Sequence, residues 1–354
     1  MNFSFSEFKT NINISRDIPG VDSITSNINN VLIIADENTA AYAAMIYGQR
    51  HCGEASPVCI LKSGEENKNW KSIETILLSA TKKKLGRDCV FIGAGGGVIC
   101  DMVSFAASIY MRGCRLALAP TTLLAMVDAS IGGKTGFDFC GIKNLAGTFY
   151  PAEKIFIPLD CLNTLTQKEI KNGFAEIIKT AILAGDDFFN QIEQLGNINF
   201  EEFNTGLNYN TILNLIEKSV NYKAGIVSED LRETGKRKLL NLGHTFGHAL
   251  ESVMGLGNIS HGEAVAWGIT RACETGVKLG ITPAARAQKI ICLIKLLGYK
   301  TEYSFDKNAL IDVMFNDKKK RDGMLTFIIP DAQSAAAVIF KNDNELKILE
   351  EVLT

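Results

Sequence analysis

Short apolar runs alternate with stretches whose apolar residues recur every three or four positions, and the alternation is regular over the first 150 residues. Val31 to Ala35 is an unbroken apolar run ending at Asp36. Pro57 to Leu61, Cys89 to Ile92 and Leu116 to Ala119 are three more, the last stopped by Pro120. Such short runs, bounded by turn residues, predict buried strands. Between them Trp70, Ile73, Leu77 and Ala80 recur at helical spacing, as do Ile99, Met102, Phe105, Ala106 and Ile109. Strand, helix, strand in this order predicts a parallel sheet with helices on its faces and right-handed connections.

After Pro151 the period changes. Residues 167–184, 210–227, 243–254 and 262–279 carry long helical patterns, and little strand signal returns until Met324 to Ile329. The expected organisation is a Rossmann-like α/β domain over residues 1–150, followed by a mostly α-helical domain over 151–354.

Composition narrows the function classes. At 354 residues, 46% hydrophobic and 21% charged, the chain is an ordinary globular sequence with room for two cores. A net charge of −2 gives no basic field for nucleic acid. Met1 to Thr10 lacks the basic start and apolar stretch of a signal peptide, and no run is long enough to span a membrane. Nine cysteines without C-x-x-C spacing fit a reducing cytoplasm.

Three features carry candidate chemistry. Gly93-Ala94-Gly95-Gly96-Gly97 follows a strand and opens a helix, a place where backbone N–H groups can meet a phosphate. The spacing is neither the G-x-G-x-x-G of dinucleotide folds nor a Walker loop, and a tight packing turn is the competing reading. Asp36, at a strand end, is either a ribose contact or a turn aspartate. Three of the four histidines, His244, His248 and His261, fall within 18 residues, and His244 and His248 share a helix face. A catalytic zinc needs about three protein ligands. Glu176 is a candidate third, because a carboxylate in the apolar helical stretch Ala175 to Lys179 is costly without a partner. Finally Arg112, Lys134, Lys143, Lys179, Lys223 and Arg237 sit among apolar or glycine-rich neighbours, which as a set suits an anionic substrate. The run Lys318 to Arg321 reads on its own as a solvated charge cluster.

Several segments together resemble the dehydroquinate synthase family: Gly95 to Asp101, Met111-Arg112-Gly113, Pro120 to Gly136, Lys143-Asn144, Gly173 to Lys179, Leu240 to Ala249 and His261 to Val265. Their order is the family's, and the match spans residues 31 to about 329; Cys100, where the family commonly has glycine, is a departure expected to crowd the helix start slightly. The resemblance implies an NAD- and metal-dependent lyase of the shikimate pathway. It would convert 3-deoxy-D-arabino-heptulosonate 7-phosphate to 3-dehydroquinate and phosphate by transient oxidation, elimination, re-reduction, ring opening and aldol closure. It implies metal ligands Glu176, His244 and His261, with zinc the expected ion and cobalt possible. His248 is then a proton relay, and Asp128 and Lys179 hold substrate hydroxyls. Arg112 (reaching in from a partner subunit), Lys134, Asn144 and Asn241 hold the phosphate with Lys318 or Lys319. Lys223 and Arg237 clamp the carboxylate. NAD contacts are Asp36, Glu65, Lys68, Gly96, Gly97, Asp101, Thr121, Thr122, Lys143 and Thr164. A cytoplasmic homodimer acting on a small sugar phosphate is expected. The rivals are a sister sugar-phosphate cyclase with a carboxylate-free substrate, a metal-dependent alcohol dehydrogenase of similar architecture, and a non-catalytic ligand sensor.

Overall fold

The structure, a computed structural model, describes residues 1–48, 57–255, 257–320, 325–340 and 343–353. By its contacts the chain forms two compact units, residues 1–169 with 209–232 and residues 170–208 with 233–354.

The first unit is built on a seven-stranded sheet. Its strands are β1 (Asn2–Phe5), β2 (Phe8–Ser15), β3 (Val31–Asp36), β4 (Val58–Leu61), β5 (Val90–Gly95) and β6 (Arg115–Pro120), followed, beyond the hairpin of β7 (Lys134–Phe139) and β8 (Ile142–Phe149), by β9 (Lys154–Pro158). The spatial order is β1-β2-β9-β6-β5-β3-β4. All pairs are parallel except β1 with β2. The four apolar runs read from the sequence are β3 to β6. Every residue of β5 is buried, and β3 is buried up to Asp36, because a parallel sheet covered on both faces leaves no polar side. Val31, Ile33, Ile92, Ala117 and Ala119 pack in one core with Ile46 and Val21.

The boundary expected near Pro151 differs from the units. β9 pairs with β2 through Asn11↔Lys154 to Ser15↔Pro158 and with β6 through Ala117↔Lys154 and Leu118↔Ile155. Residues 154–158 are therefore inside the sheet. The Tyr209–Glu229 helix also returns to the first unit. Hydrophobic period could not reveal either, since a long-range partner decides where a helix or short strand is buried.

In the second unit the helices Gln167–Ala184 (from residue 170 on), His244–Met254, His261–Lys278, Ala284–Leu296 and Lys307–Lys320 accompany an antiparallel pair, β10 (Leu325–Pro330) and β11 (Ala335–Phe340). The Phe246 and Phe327 rings pack in a tilted arrangement with centroids 4.8 Å apart, as do those of Phe327 and Phe340 at 4.6 Å. Among the described residues no helix is long and apolar enough to cross a membrane. The eight described cysteines are free thiols.

Candidate metal centre and cofactor site

Two helices that each begin with a histidine build the centre in the second unit. Gly243 precedes His244 with φ +81°, and a Cβ there would meet the Val265 carbonyl oxygen at 2.7 Å. At Gly268 a Cβ would sit 2.0 Å from the Gly243 carbonyl oxygen. Only glycine permits this backbone approach, and it sets the His244 and His261 rings 5.3 Å apart. A capping box of Ser260 and Glu263 fixes His261 at the first helical position. The Gly262 N–H donates to Asn172 Oδ1 at 2.5 Å, tying that helix start to the helix that carries Glu176.

Glu176 is 1% exposed. Its Oε1 lies 3.6 Å from His244 Nε2 and 3.4 Å from His261 Nε2, and its Oε2 is in ion contact with Lys179 one turn on. Neither oxygen has a hydrogen bond of ordinary geometry. Burial opposes ionisation, yet Lys179 and the two imidazoles hold the Glu176 carboxyl well below its usual range. Burial, and then the Lys179 charge, keep His244 well below the ordinary histidine value, so it is neutral. Its Nδ1 faces the Leu242 carbonyl at 3.2 Å. A carbonyl can only accept, so Nδ1 carries the proton and Nε2 presents its lone pair inward. Burial disfavours charge on His261 too, but Glu176 and Glu251 raise it to about 9. The three ligand atoms lie within 4.8 Å of one another. Two imidazoles and one buried, under-bonded carboxylate are the donor set of a divalent ion with an open position, so the residues fit the metal the sequence predicts.

The flanking residues have definite places. His248 is exposed, one turn beyond His244, with ring centroids 5.2 Å from His244 and 5.9 Å from His261. It belongs to a second, overlapping group with Glu251 and His261, apart from the Glu176 set. Arg237 is 2% exposed in the short Lys236–Asn241 turn that leads to Gly243. Asn241 donates to the Glu233 carboxylate. Lys318 and Lys319 lie on the Lys307–Lys320 helix, and their side chains are outside the described residues.

Two family models match this chain: 3-dehydroquinate synthase N-terminal over residues 58–172 and 3-dehydroquinate synthase C-terminal over residues 173–320. Together they run without a gap over well over half of its length. The chain belongs to the dehydroquinate synthase family. Among solved structures it resembles 2-epi-5-epi-valiolone synthase from Streptomyces hygroscopicus subsp. jinggangensis 5008, solved with NAD+ and Zn2+ bound. There the TM-score is 0.83 at 22% identity, over 99% of this chain and 98% of that one. A 2-deoxy-scyllo-inosose synthase complexed with carbaglucose-6-phosphate, NAD+ and Co2+ matches with a TM-score of 0.85 at 22% identity, over 100% and 98%. Glycerol dehydrogenase from Schizosaccharomyces pombe is more distant, with a TM-score of 0.62 at 14% identity over 99% and 90%. At these identities the likenesses show a shared fold.

In the first unit of this family member, the glycine run ends β5 and starts the Gly97–Ile109 helix. Gly96 is its N-cap, and no side chain caps it. The N–H groups of the first turn are therefore left for an anion, which fits a dinucleotide phosphate. Cys100, expected to crowd this turn, is 1% exposed and points its thiol at the Gly95 carbonyl, 3.8 Å away. Thr121 donates its N–H to the Gly95 carbonyl, and Thr122 Oγ1 accepts the Ala125 N–H. Lys68 is buried and donates to Asp101 Oδ2 and to Asn144 Oδ1, both at 2.6 Å. Burial opposes its charge, but Asp101 and Glu65 outweigh that and raise its pKa above the ordinary lysine value. Burial likewise pushes Glu65 up, against the pull of Lys68 and, more weakly, Lys143.

Asp36 uses its Oδ1 to accept the N–H groups of Asn38 and Thr39 and the Thr39 hydroxyl. The turn reading of that residue is thus realised for one oxygen. Thr164 Oγ1 is 2.6 Å from the Tyr42 hydroxyl. Arg112 is exposed in a left-handed stretch with φ +49° at Met111, +67° at Arg112 and +116° at Gly113. Lys134 starts β7 and Lys143 lies on β8, both exposed.

Two placements differ from the expected grouping. Asn144, expected with the phosphate-binding cations, is bonded to Lys68 in the group expected for the cofactor. Lys223, expected beside Arg237, donates to the Asp128 carboxylate and to the Asp128 carbonyl, each at 2.7 Å. Asp128 itself sits in a π-helical turn, Ala125–Ala129, closed by the Ser130 N–H to the Ala125 carbonyl. Such turns re-aim a side chain and recur at functional sites.

Sequence reasoning missed Glu251, Glu233 and Asn172. Glu251 was within reach of it: His244, His248 and Glu251 fall at i, i+4 and i+7, one helical face. Glu233 and Asn172 act across turns that no periodicity marks.

Proposed function

We propose that this chain is a 3-dehydroquinate synthase, a phosphate-eliminating lyase acting on 3-deoxy-D-arabino-heptulosonate 7-phosphate in the shikimate pathway, with NAD and a divalent ion, zinc or cobalt, as its cofactors. The observation that carries the reading is Glu176, a buried carboxylate without an ordinary hydrogen bond, facing two histidine Nε2 atoms. The family membership and the buried Arg237 beside the histidine segment add the substrate.

When bound, NAD supplies a hydride acceptor that is regenerated within the turnover, and the ion supplies a Lewis acid for the hydroxyl and carbonyl oxygens. Glu176, His244 and His261 hold that ion. Lys179, pinned to Glu176, donates to a substrate hydroxyl. Asp128, oriented by Lys223, accepts from another. Oxidation of the hydroxyl acidifies the neighbouring C–H, and the leaving phosphate is held by Arg112, Lys134, Asn144 and Asn241 with Lys318 or Lys319. His248, exposed and close to both ligand rings, is placed to move protons to and from solvent. Arg237 pairs the substrate carboxylate bidentately, with Lys223 as a second cation. The dinucleotide is held by Gly96, Gly97, Asp101, Lys68, Glu65, Lys143, Thr121, Thr122, Thr164 and Asp36. In this reading the working form is a cytoplasmic homodimer, with Arg112 reaching the partner's site.

The test is phosphate release by purified protein from the seven-carbon keto-acid phosphate, and from a carboxylate-free hexose phosphate, with and without NAD. Release from the keto acid alone, dependent on NAD but without NADH accumulation, is the expected result. Equal turnover of the carboxylate-free sugar would replace the substrate with that of a sister cyclase. NADH accumulating in step with substrate loss would favour an alcohol dehydrogenase.

A further inference from the structure

His261 is addressed from both sides of its ring. Its Nε2 lies 3.4 Å from Glu176 Oε1, and its Nδ1 lies 3.6 Å from Glu251 Oε2. Glu251 is 9% exposed and sits on the His244–Met254 helix, seven residues after His244, so one helix delivers a ligand and the carboxylate behind the other ligand. The two imidazoles are not backed alike. His244 is backed by the neutral Leu242 carbonyl, His261 by a carboxylate. The atoms of His248, Glu251 and His261 also lie within ligand distance of one another.

We propose that Glu251 is the positioning residue of the metal centre: its negative charge, placed behind His261 at Nδ1, favours the proton on that nitrogen, so that Nε2 faces Glu176 and His244. The proposal rests on the metal reading of Glu176, His244 and His261. A carboxylate behind an imidazole ligand fixes ring and tautomer and makes the ligating nitrogen more basic. At 3.6 Å the contact is an ion-pair distance, longer than a hydrogen bond, so its contribution is orientation and charge.

The test is titration of chelator-stripped wild type, Glu251→Gln and Glu251→Asp with Co2+, reading stoichiometry, Kd and the visible absorption of the bound ion. Wild type is expected to bind one Co2+ per chain. Glu251→Gln should bind one ion about 10- to 100-fold more weakly, with an altered visible spectrum. Glu251→Asp, which keeps the charge, should recover part of the affinity. The melting temperature of the stripped protein should be the same for wild type and Glu251→Asp, because the role is toward the ion and not the fold. If Glu251→Gln fails to fold, Glu251→Ala decides in its place: wild-type Kd and spectrum in it would overturn the proposal. Unchanged Kd in a folded Gln variant overturns it too. Two ions in wild type and one in Glu251→Gln would make Glu251 a ligand of a second ion and overturn the positioning role. No binding by wild type would remove the metal reading with it.

Discussion

The two regions that carry the candidate chemistry treat their charges differently. In the first unit Lys68 has Asp101 and Asn144, Lys223 has Asp128, and Asp36 has two backbone N–H groups and a hydroxyl. In the second, Glu176 is almost fully buried with one ammonium in contact and no hydrogen bond to either oxygen. Buried polar groups ordinarily find partners. A region whose charges answer one another is complete as folded and can accept a ligand by exchanging partners. A region where a buried carboxylate has an ammonium beside it but no hydrogen bond, and faces two imidazoles, keeps lone pairs for something else. In the proposed function the contrast separates a region that would take a dinucleotide from one that would hold an ion.

The sharpest way to break the contrast is to remove the Glu176 charge. Glu176→Gln should weaken metal binding strongly, because it removes the ligand charge while keeping the shape. In metal-free protein it also removes the carboxylate paired with the buried Lys179 ammonium, and loss of one partner of a buried ion pair costs about 3–5 kcal/mol, measured by urea unfolding. If the stripped variant is as stable as wild type, Glu176 and Lys179 are not the pair described. Arg237→Ala comes next. A charge-assisted hydrogen bond contributes about 1.5–3 kcal/mol, so kcat/KM for the keto-acid phosphate should fall at least about tenfold while metal and NAD binding stay unchanged. Lysine should rescue it only in part, lacking the guanidinium fork; a kinetically silent Ala variant would withdraw the carboxylate assignment.

In the first unit the effects should be smaller and should reach the cofactor. Lys68→Met is expected to cost about 1–3 kcal/mol and to raise the KM for NAD. The Lys68 pKa is raised in the folded protein, so its contribution to stability is fully present below the unfolded lysine value of about 10.4. It is lost only as pH rises through the higher folded value. Wild type and Lys68→Met should thus differ by a constant margin to about pH 10 and converge above it; convergence between pH 7 and 9 would contradict the assignment. Smallest is Asp36→Ala, which removes a turn acceptor and should cost about 0.5–1.5 kcal/mol. A fall in NAD affinity beyond that loss of stability would show that Asp36 touches the cofactor as well as its own turn.

How much of this was legible in the sequence followed the range of the interactions. Buried parallel strands announce themselves, so β3 to β6 were readable, and so were the helices that start at His244 and His261. β2, with the alternating pattern Phe8-Lys9-Thr10-Asn11-Ile12-Asn13-Ile14, is apolar on one face only, and β9 is five residues long. The alternation of β2 is a strand signal that sequence reasoning missed, whereas the place of β9 between β2 and β6 is set by those partners, which local period cannot express. The membership of Glu176 in the site was arguable from an apolar neighbourhood around a carboxylate. The partner of Lys223, 95 residues away at Asp128, was not. The spacing of His244, His248 and Glu251 held the information for Glu251, but spacing alone does not distinguish a ligand from the residue behind one.

The most direct test of the central claim is phosphate release from the seven-carbon keto-acid phosphate by metal-stripped, metal-assayed protein with NAD present, as Zn2+ is titrated back. The account predicts no turnover at zero ion, a linear rise to full rate at one equivalent per chain, and no such rise in Glu176→Gln. Full turnover by the stripped protein would contradict it.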